Sequence, residues 1–288
     1  MTGIRARLGS IGLLCLFLIA CQNVPLTGRS QLALIPAEQM MASSAQAYGE
    51  FLKTAKVIRN TPEARMVQRI GTRIQRAVEQ YMSDHRLSEQ LKGYAWQFSL
   101  VDDAKTPNAF CLPGGKIVVY TGILPLTRDE DGLAAVMGHE VAHAIAQHGS
   151  ERASQQILAT AATAAVVAAV AESRKKKKDS PGEQAKMTLL TAGFGAAATY
   201  GMLLPFSRLH ESEADRMGMH FMAMAGYDPR KAVDLWARFK SDGHQGKEPP
   251  PEFFSSHPSD DTRIEQNRAT LAEVMPIFQA NQHKRKVK

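Results

Sequence analysis

The sequence predicts an α+β fold that is mainly helical, with a small antiparallel sheet beside one particular helix. Three observations carry this prediction. Apolar residues recur at helical spacing over long stretches on both sides of residue 100, two short runs between 95 and 125 have strand character, and a strongly signalled helix follows the second run directly. With 288 residues, 44% of them hydrophobic, the chain is long enough to bury one full core and a smaller lobe.

Taken in order, residues 1–20 come first. Arg5 and Arg7 precede "LGSIGLLCLFLIA", an apolar run short of a comfortable membrane span, so the stretch reads as a secretory signal. Leu18-Ile19-Ala20-Cys21 resembles the bacterial lipobox, in which Cys21 is lipid-modified and becomes the new N-terminus. The competing reading is an uncleaved anchor with an incidental cysteine. Gln22, in place of the aspartate of an inner-membrane retention signal, favours an outer-membrane lipoprotein facing the periplasm. Residues 21–35 then read as a lipidated tether, and 36–288 as one domain. Within that domain, 36–91 is expected to be helical, with Met66, Ile70, Ile74 and Val78 on the buried face. "AWQFSLVDD" turns Trp96, Phe98 and Leu100 inward, and "KIVVYTGIL" is β-branched, so these two runs are expected to pair as a hairpin. The link between them, "TPNAFCLPGG", is turn-rich. The edge of that hairpin could take an extended peptide, with Asn108, Gly114 and Gly115 as candidate substrate contacts.

The helix after the strands contains "GHEVAHAIAQH". "TRDE" at 127–130 reads as a capping box from Thr127 to Glu130, and Leu133, Val136, Met137, Val141 and Ile145 give a buried face. His139 and His143, four apart, present two imidazoles to one point, with Glu140 beside it. In zinc hydrolases such a trio supplies two ligands and a general base. The competing reading is a core helix with stray histidines. The extended pattern HExxHxxGxxH is excluded by Ala146 and Gly149, so a third ligand must come from elsewhere. His148 reads as a solvated helix residue.

Two charge-free stretches follow, 157–171 and 187–206, and form an expected apolar helical hairpin at 157–206 that is either buried or membrane-resting. The chain then returns with "SRLHESEADRMGMHFMAMAGYDP". Glu211 suits the third zinc position, and Asp215, one turn on, suits a hydrogen bond to a ligating imidazole; the alternative is an acid-rich surface helix. His210, His220 and His244 read as incidental. Gly226 ends this helix and "PRKAVDLWARF" starts another. With Cys15 removed and Cys21 acylated, Cys111 stands alone as a packing residue, and no intramolecular disulfide is expected. The net charge of +7 is concentrated in "RKKKK" and "HKRKVK"; an exported lipoprotein rarely meets nucleic acid, so anionic lipid head groups are the better functional reading of these runs.

Together "PLTGRSQL", "NAFCLPGGKIVVYTGIL", the HExxH helix, "SRLHESEAD" and "SHPSDDTR" resemble the membrane-associated zinc metallopeptidases of peptidase family M48, which includes HtpX-type proteases and CAAX prenyl endopeptidases. Within it the lipoprotein start resembles the periplasmic LoiP and BepA types, and the chain has no length for a repeat domain after "DDTR". The resemblance implies a zincin-like fold of the gluzincin type and one zinc ion on His139, His143 and Glu211. It makes Glu140 the base of an endopeptidase that acts on polypeptide substrates in envelope quality control. His257 and Arg263 match the family's H-P-x-x-x-x-R element and are assigned a catalytic role, His257 either as oxyanion donor assisted by Arg263 or as a fourth ligand that keeps the site latent. A turn-capping histidine is the third reading. The rival function is a zinc-binding chaperone or scaffold lipoprotein without turnover. The oligomeric state is not legible.

Overall fold

The computed structural model describes residues 21–175, 204–243, 253, 257 and 261–285. The expected signal peptide, the middle of the apolar hairpin and His244 lie outside them. In chain order the elements are β1 (Cys21–Asn23), β2 (Ser30–Leu32), α1 (Ala37–Thr54), β3 (Val57–Ile58), α2 (Pro62–Asp84), β4 (Gln97–Val101), β5 (Ala109–Leu112), β6 (Lys116–Tyr120), α3 (Leu124–Thr127), α4 (Glu130–Ile145), α5 (His148–Lys175), α6 (Leu204–Met224), α7 (Arg230–Gly243) and α8 (Asp261–Asn281). The chain divides into two compact units: 24–29, 37–147 and 211–288 form the larger, and 1–23, 30–36 and 148–210 the smaller, so the division falls inside α6.

In the larger unit a four-stranded sheet has the order β3-β4-β6-β5. β5 and β6 form an antiparallel hairpin, Ala109 opposite Val119 and Leu112 opposite Lys116. The two strand runs recognised in the sequence are neighbours, but β4 and β6 run parallel, with Gln97 opposite Lys116 and Val101 opposite Tyr120. This corrects the expected hairpin. The turn-rich link holds a strand of its own, and the tight turn at Gly114 and Gly115 joins that strand to β6. Both glycines have positive φ, 83° and 80°, and a Cβ on Gly115 would stand 2.5 Å from the Trp96 ring.

The sheet is covered on both faces. Phe98, Leu100, Ile117 and Val119 face the main core with α2 and α4, while Val101 and Val118 meet Tyr48 of α1. Trp96 packs on the main core as well, so the inward alternation read from the sequence holds. α2 approaches the sheet closely because Gly71 offers no side chain; a Cβ there would lie 2.2 Å from Phe98.

Helix 36–91 is not continuous. Asn60 adopts φ 63°, Thr61 caps Ala64 N and Pro62 opens α2, so β3 fits in the break and pairs with β4. The capping box also shifts. Asp129 is the N-cap of α4, its carboxylate accepting from Gly132 N at 2.8 Å, while Thr127 donates to Leu124 O and closes α3. Aspartate wins because it carries a full charge at the positive helix end.

In the smaller unit β1 and β2 pair antiparallel within the stretch expected as a tether. β2 lies against α5, and Leu34 N donates to Ser154 Oγ at 3.0 Å. His148 is fully buried, against expectation, because its ring stacks on His210 at 4.2 Å. His210 in turn bonds Glu151 at 2.8 Å. Among the described residues no helix is long and apolar enough to cross a membrane.

Candidate metal centre

α4 is buried from Gly132 to Ile145, apolar on nearly every side, and lies between α2, β5 and α7. Burial on all faces fixes the rotation of the helix, and with it the directions of His139, Glu140 and His143. α6 crosses α4 where two glycines meet. A Cβ on Gly218 would sit 2.8 Å from His139 N, and one on Gly138 would sit 2.9 Å from Gly218 O. This close crossing brings Glu211 and Asp215 to the histidines. Its signal in the sequence is the glycine that precedes the HExxH motif and the glycine in "DRMGMH", which the sequence reading did not use.

Four side chains converge: His139, His143, Glu211 and His257 each offer one ligand atom, all within 4.8 Å of one another. A tetrahedral ion with metal–ligand bonds of ~2.0–2.1 Å sets its ligands about 3.3 Å apart. His139 Nε2 lies 3.0 Å from His143 Nε2, 3.2 Å from His257 Nδ1 and 3.3 Å from Glu211 Oε2, and His143 Nε2 lies 3.4 Å from Glu211 Oε1. Unprotonated ring nitrogens at such separations repel one another unless positive charge lies between them. The donors therefore fit a single zinc ion, and imidazole nitrogen with carboxylate oxygen is a donor set that suits it.

Electrostatics point the same way. Burial disfavours charge on His139, but hydrogen bonds and charge from Asp215 and Glu211 outweigh it and push the imidazole up to about 9. Burial raises Glu211 too, yet the three histidines around it hold its carboxyl well below the usual carboxylate range. Both shifts have one cause: the carboxylates around His139 favour positive charge at this point, as they would favour a bound cation. Glu140 differs. It is buried, burial raises its pKa above the ordinary value against the opposing pull of His257 and His139, and its Oε1 accepts no hydrogen bond, with His257 Nε2 3.3 Å away. A buried carboxylate oxygen that accepts no hydrogen bond, and has only the charge-dependent contact with His257, carries a cost with no structural return.

A second ring of contacts holds these groups. Asp215 Oδ1 lies 2.9 Å from His139 Nδ1, which leaves Nε2 to face the cluster. Arg263, from α8, donates to both Asp215 oxygens, with Nη2 to Oδ1 at 2.9 Å, and its Nη1 lies 3.2 Å from Glu211 Oε2. Asn267 Nδ2 adds a bond to Asp215 at 3.0 Å. Arg263 is 4% exposed and its guanidinium lies 3.8 Å over the Trp236 ring, which also meets His139 edge-on at 5.2 Å. Burial pushes Asp215 up, but the charge and bonds of Arg263, then His139, hold it at about 2. Asn267 and Trp236 were missed in the sequence, where a tryptophan in an amphipathic helix carries no mark of its partner.

The remaining candidates lie on or next to β5, which packs on α4, and the backbone N–H of Cys111 reaches Glu140. Asn108 accepts from Ala109 N at 2.8 Å and starts β5, Gly114 is 3.6 Å from Met41, and Gly115 faces Trp96. Cys111 is a half-buried free thiol.

A buried HExxH helix, a carboxylate from a crossing helix and a second buried carboxylate beside the cluster are the features of a metallopeptidase. The chain belongs to peptidase family M48, whose model matches residues 69–271. It is similar to the mitochondrial metalloendopeptidase OMA1 of Schizosaccharomyces pombe, 40% identical over 185 residues, covering 62% of this chain and 48% of that one. The OMA1 of Saccharomyces cerevisiae is 31% identical over 193 residues, 66% of this chain and 51% of that protein. A beta-barrel assembly-enhancing protease of Yersinia pestis is 29% identical over 182 residues, 63% and 35% of the two chains. The chain matches about half the length of these relatives or less. The resemblance read from the sequence is met at the level of the family. The narrower expectation of a LoiP or BepA type meets relatives of two kinds, and the mitochondrial ones have the higher identity.

Proposed function

We propose that the chain is a zinc-dependent endopeptidase of the bacterial cell envelope that removes misfolded or unassembled envelope proteins. The observation that carries the catalytic part is Glu140, a buried carboxylate with one oxygen that accepts no hydrogen bond, beside four convergent donors. When bound on His139, His143 and Glu211, zinc supplies a Lewis acid that polarises a carbonyl and acidifies water. Glu140 takes the proton of the attacking water and hands it to the leaving amine, and burial, by raising its pKa, fits it to both transfers. β5 is one edge strand of the sheet, and among the described residues no strand pairs with its outer side, so an extended peptide can add there, with Asn108 at the head of that strand and Gly114 and Gly115 at its far end. Arg263 acts through Asp215 and Glu211, which it touches, as a positioning residue. His257 occupies the fourth donor position in a latent site and becomes an oxyanion donor when it moves away.

The envelope setting rests on "LIAC" with its Cys21, which supports a lipid anchor at the outer membrane facing the periplasm, and on the names of the bacterial relatives. One observation favours a second reading. Four protein donors are the usual set of a structural zinc site, as a chaperone or scaffold would have. Glu140, buried beside the cluster with an oxygen that accepts no hydrogen bond, weighs against that reading, since a structural site has no use for it. Purified protein with zinc and unfolded casein, beside Glu140→Gln, decides between them. The variant is expected to keep its zinc and fold and to lose cleavage; cleavage that survives in the variant refutes the assignment of Glu140, and no cleavage by either protein favours the scaffold.

A further inference from the structure

Separate from the metal centre, the larger unit has a groove of about 1140 Å³ between α2, the end of α6 and the single turn Gln282–Arg285. Arg65, Arg69, Arg73 and Arg76 succeed one another along one side of α2, and Lys284 and Arg285 face them from the C-terminal turn. Spacing at i, i+4, i+8 and i+11 sets neighbouring guanidinium stems about 5–6 Å apart along the helix. Glu130 is the single carboxylate in the lining; it pairs with Arg69, while Asp131 holds Arg285. Arg65 and Lys284 donate to the backbone carbonyls of Asn60 and Met224, which are neutral groups, and Arg65 also feels the charge of Glu63. The floor is apolar, with Ala77 and Ala225 buried and Met224 half-buried.

Like charges crowded into a concavity repel one another, and the repulsion is relieved by an anion. All four cations on α2 are arginines, whose flat forks match phosphate oxygens two at a time. The walls are helical, so their backbone groups are already bonded and offer no edge to an extended acidic peptide. We infer that this arginine groove binds a phosphate-bearing ligand, the phosphodiester head group of an acidic lipid or a soluble oligophosphate. In the lipid case the apolar floor receives the first carbons behind the head group.

The test uses the full chain, the groove variant Arg65→Gln/Arg76→Gln/Lys284→Gln, and a control, Arg59→Gln/Lys92→Gln/Lys105→Gln, which removes as much charge at other exposed positions. Co-sedimentation is measured with phosphatidylcholine vesicles with and without one-third phosphatidylglycerol, and calorimetry with sodium pyrophosphate. One cation near an anionic surface changes binding about fivefold, so loss of three is expected to weaken it roughly a hundredfold. Selective loss of phosphatidylglycerol binding in the groove variant supports the lipid source. Selective loss of pyrophosphate binding, with both vesicles bound equally by all proteins, supports a soluble source. The inference is overturned if the control loses as much as the groove variant, if wild type discriminates neither probe, or if poly-glutamate binds the groove and the phosphate probes do not. Far-ultraviolet circular dichroism and the melting temperature of the groove variant, beside wild type, report whether the fold is intact.

Discussion

Replacing Arg263 by methionine tests how the metal centre is held. The side chain is 4% exposed, grips Asp215 through two nitrogens, touches Glu211 with a third and stacks on Trp236. Methionine keeps much of the volume and can lie on the indole ring, so the cavity term is small. The dominant loss is the partner of a buried carboxylate. Breaking such a pair costs about 3–5 kcal/mol, and for a domain of this size each kcal/mol lowers Tm by about 2–4 °C. A fall of roughly 6–20 °C is expected in the metal-free protein, measured by calorimetry with chelator present. Asp215 keeps its contacts with His139 and Asn267 but loses the charge that fixed its orientation. Loss of a contact behind a ligand typically lowers metal affinity by about 10–100-fold. Competition against a chromophoric zinc chelator reads this directly. Arg263→Lys restores charge but not the fork and is expected to recover less than half of either loss. If the methionine variant melts within about 1 °C of wild type and binds zinc equally well, the idea that Arg263 acts through Asp215 is wrong, and a direct role at the reacting carbonyl returns.

Other expectations follow from the same geometry. Glu211→Ala is expected to lose zinc and activity together, since it removes a ligand from α6; full zinc occupancy by mass spectrometry means that Glu211 is not the third ligand. His257→Ala separates the two roles of that residue: basal casein cleavage rises if it is a latch, and falls about a hundredfold at unchanged zinc content if it is only an oxyanion donor. Gly218→Ala gains about 1 kcal/mol in helix propensity. It also forces a Cβ to 2.8 Å from His139 N, and overpacking of this kind costs about 1–3 kcal/mol. Net stability is expected to fall by about 0–2 kcal/mol, while zinc affinity drops because His139 is displaced; unchanged affinity means that the helices separate without moving the ligands.

Much of this protein is legible residue by residue because the chemistry is local. On a helix, four residues bring side chains to one face, so His139 and His143, and likewise Glu211 and Asp215, announce themselves in any context where the segment is helical. The buried faces of α2 and α4 and the inward alternation of Trp96, Phe98 and Leu100 are read for the same reason. What local spacing does not contain is pairing between distant segments. β4 and β6 run parallel because β5 intervenes, and β5 is a four-residue strand whose identity depends on a neighbour. The break at Asn60 was signalled by "NTP", but the periodicity on both sides masked it. The tertiary structure alone decided that Gly138 meets Gly218, that Trp236 lies beneath Arg263, and that His148 and His210 stack out of solvent. Those outcomes depend on helix crossings and ring contacts, where the energy belongs to two remote segments at once and neither segment states it alone.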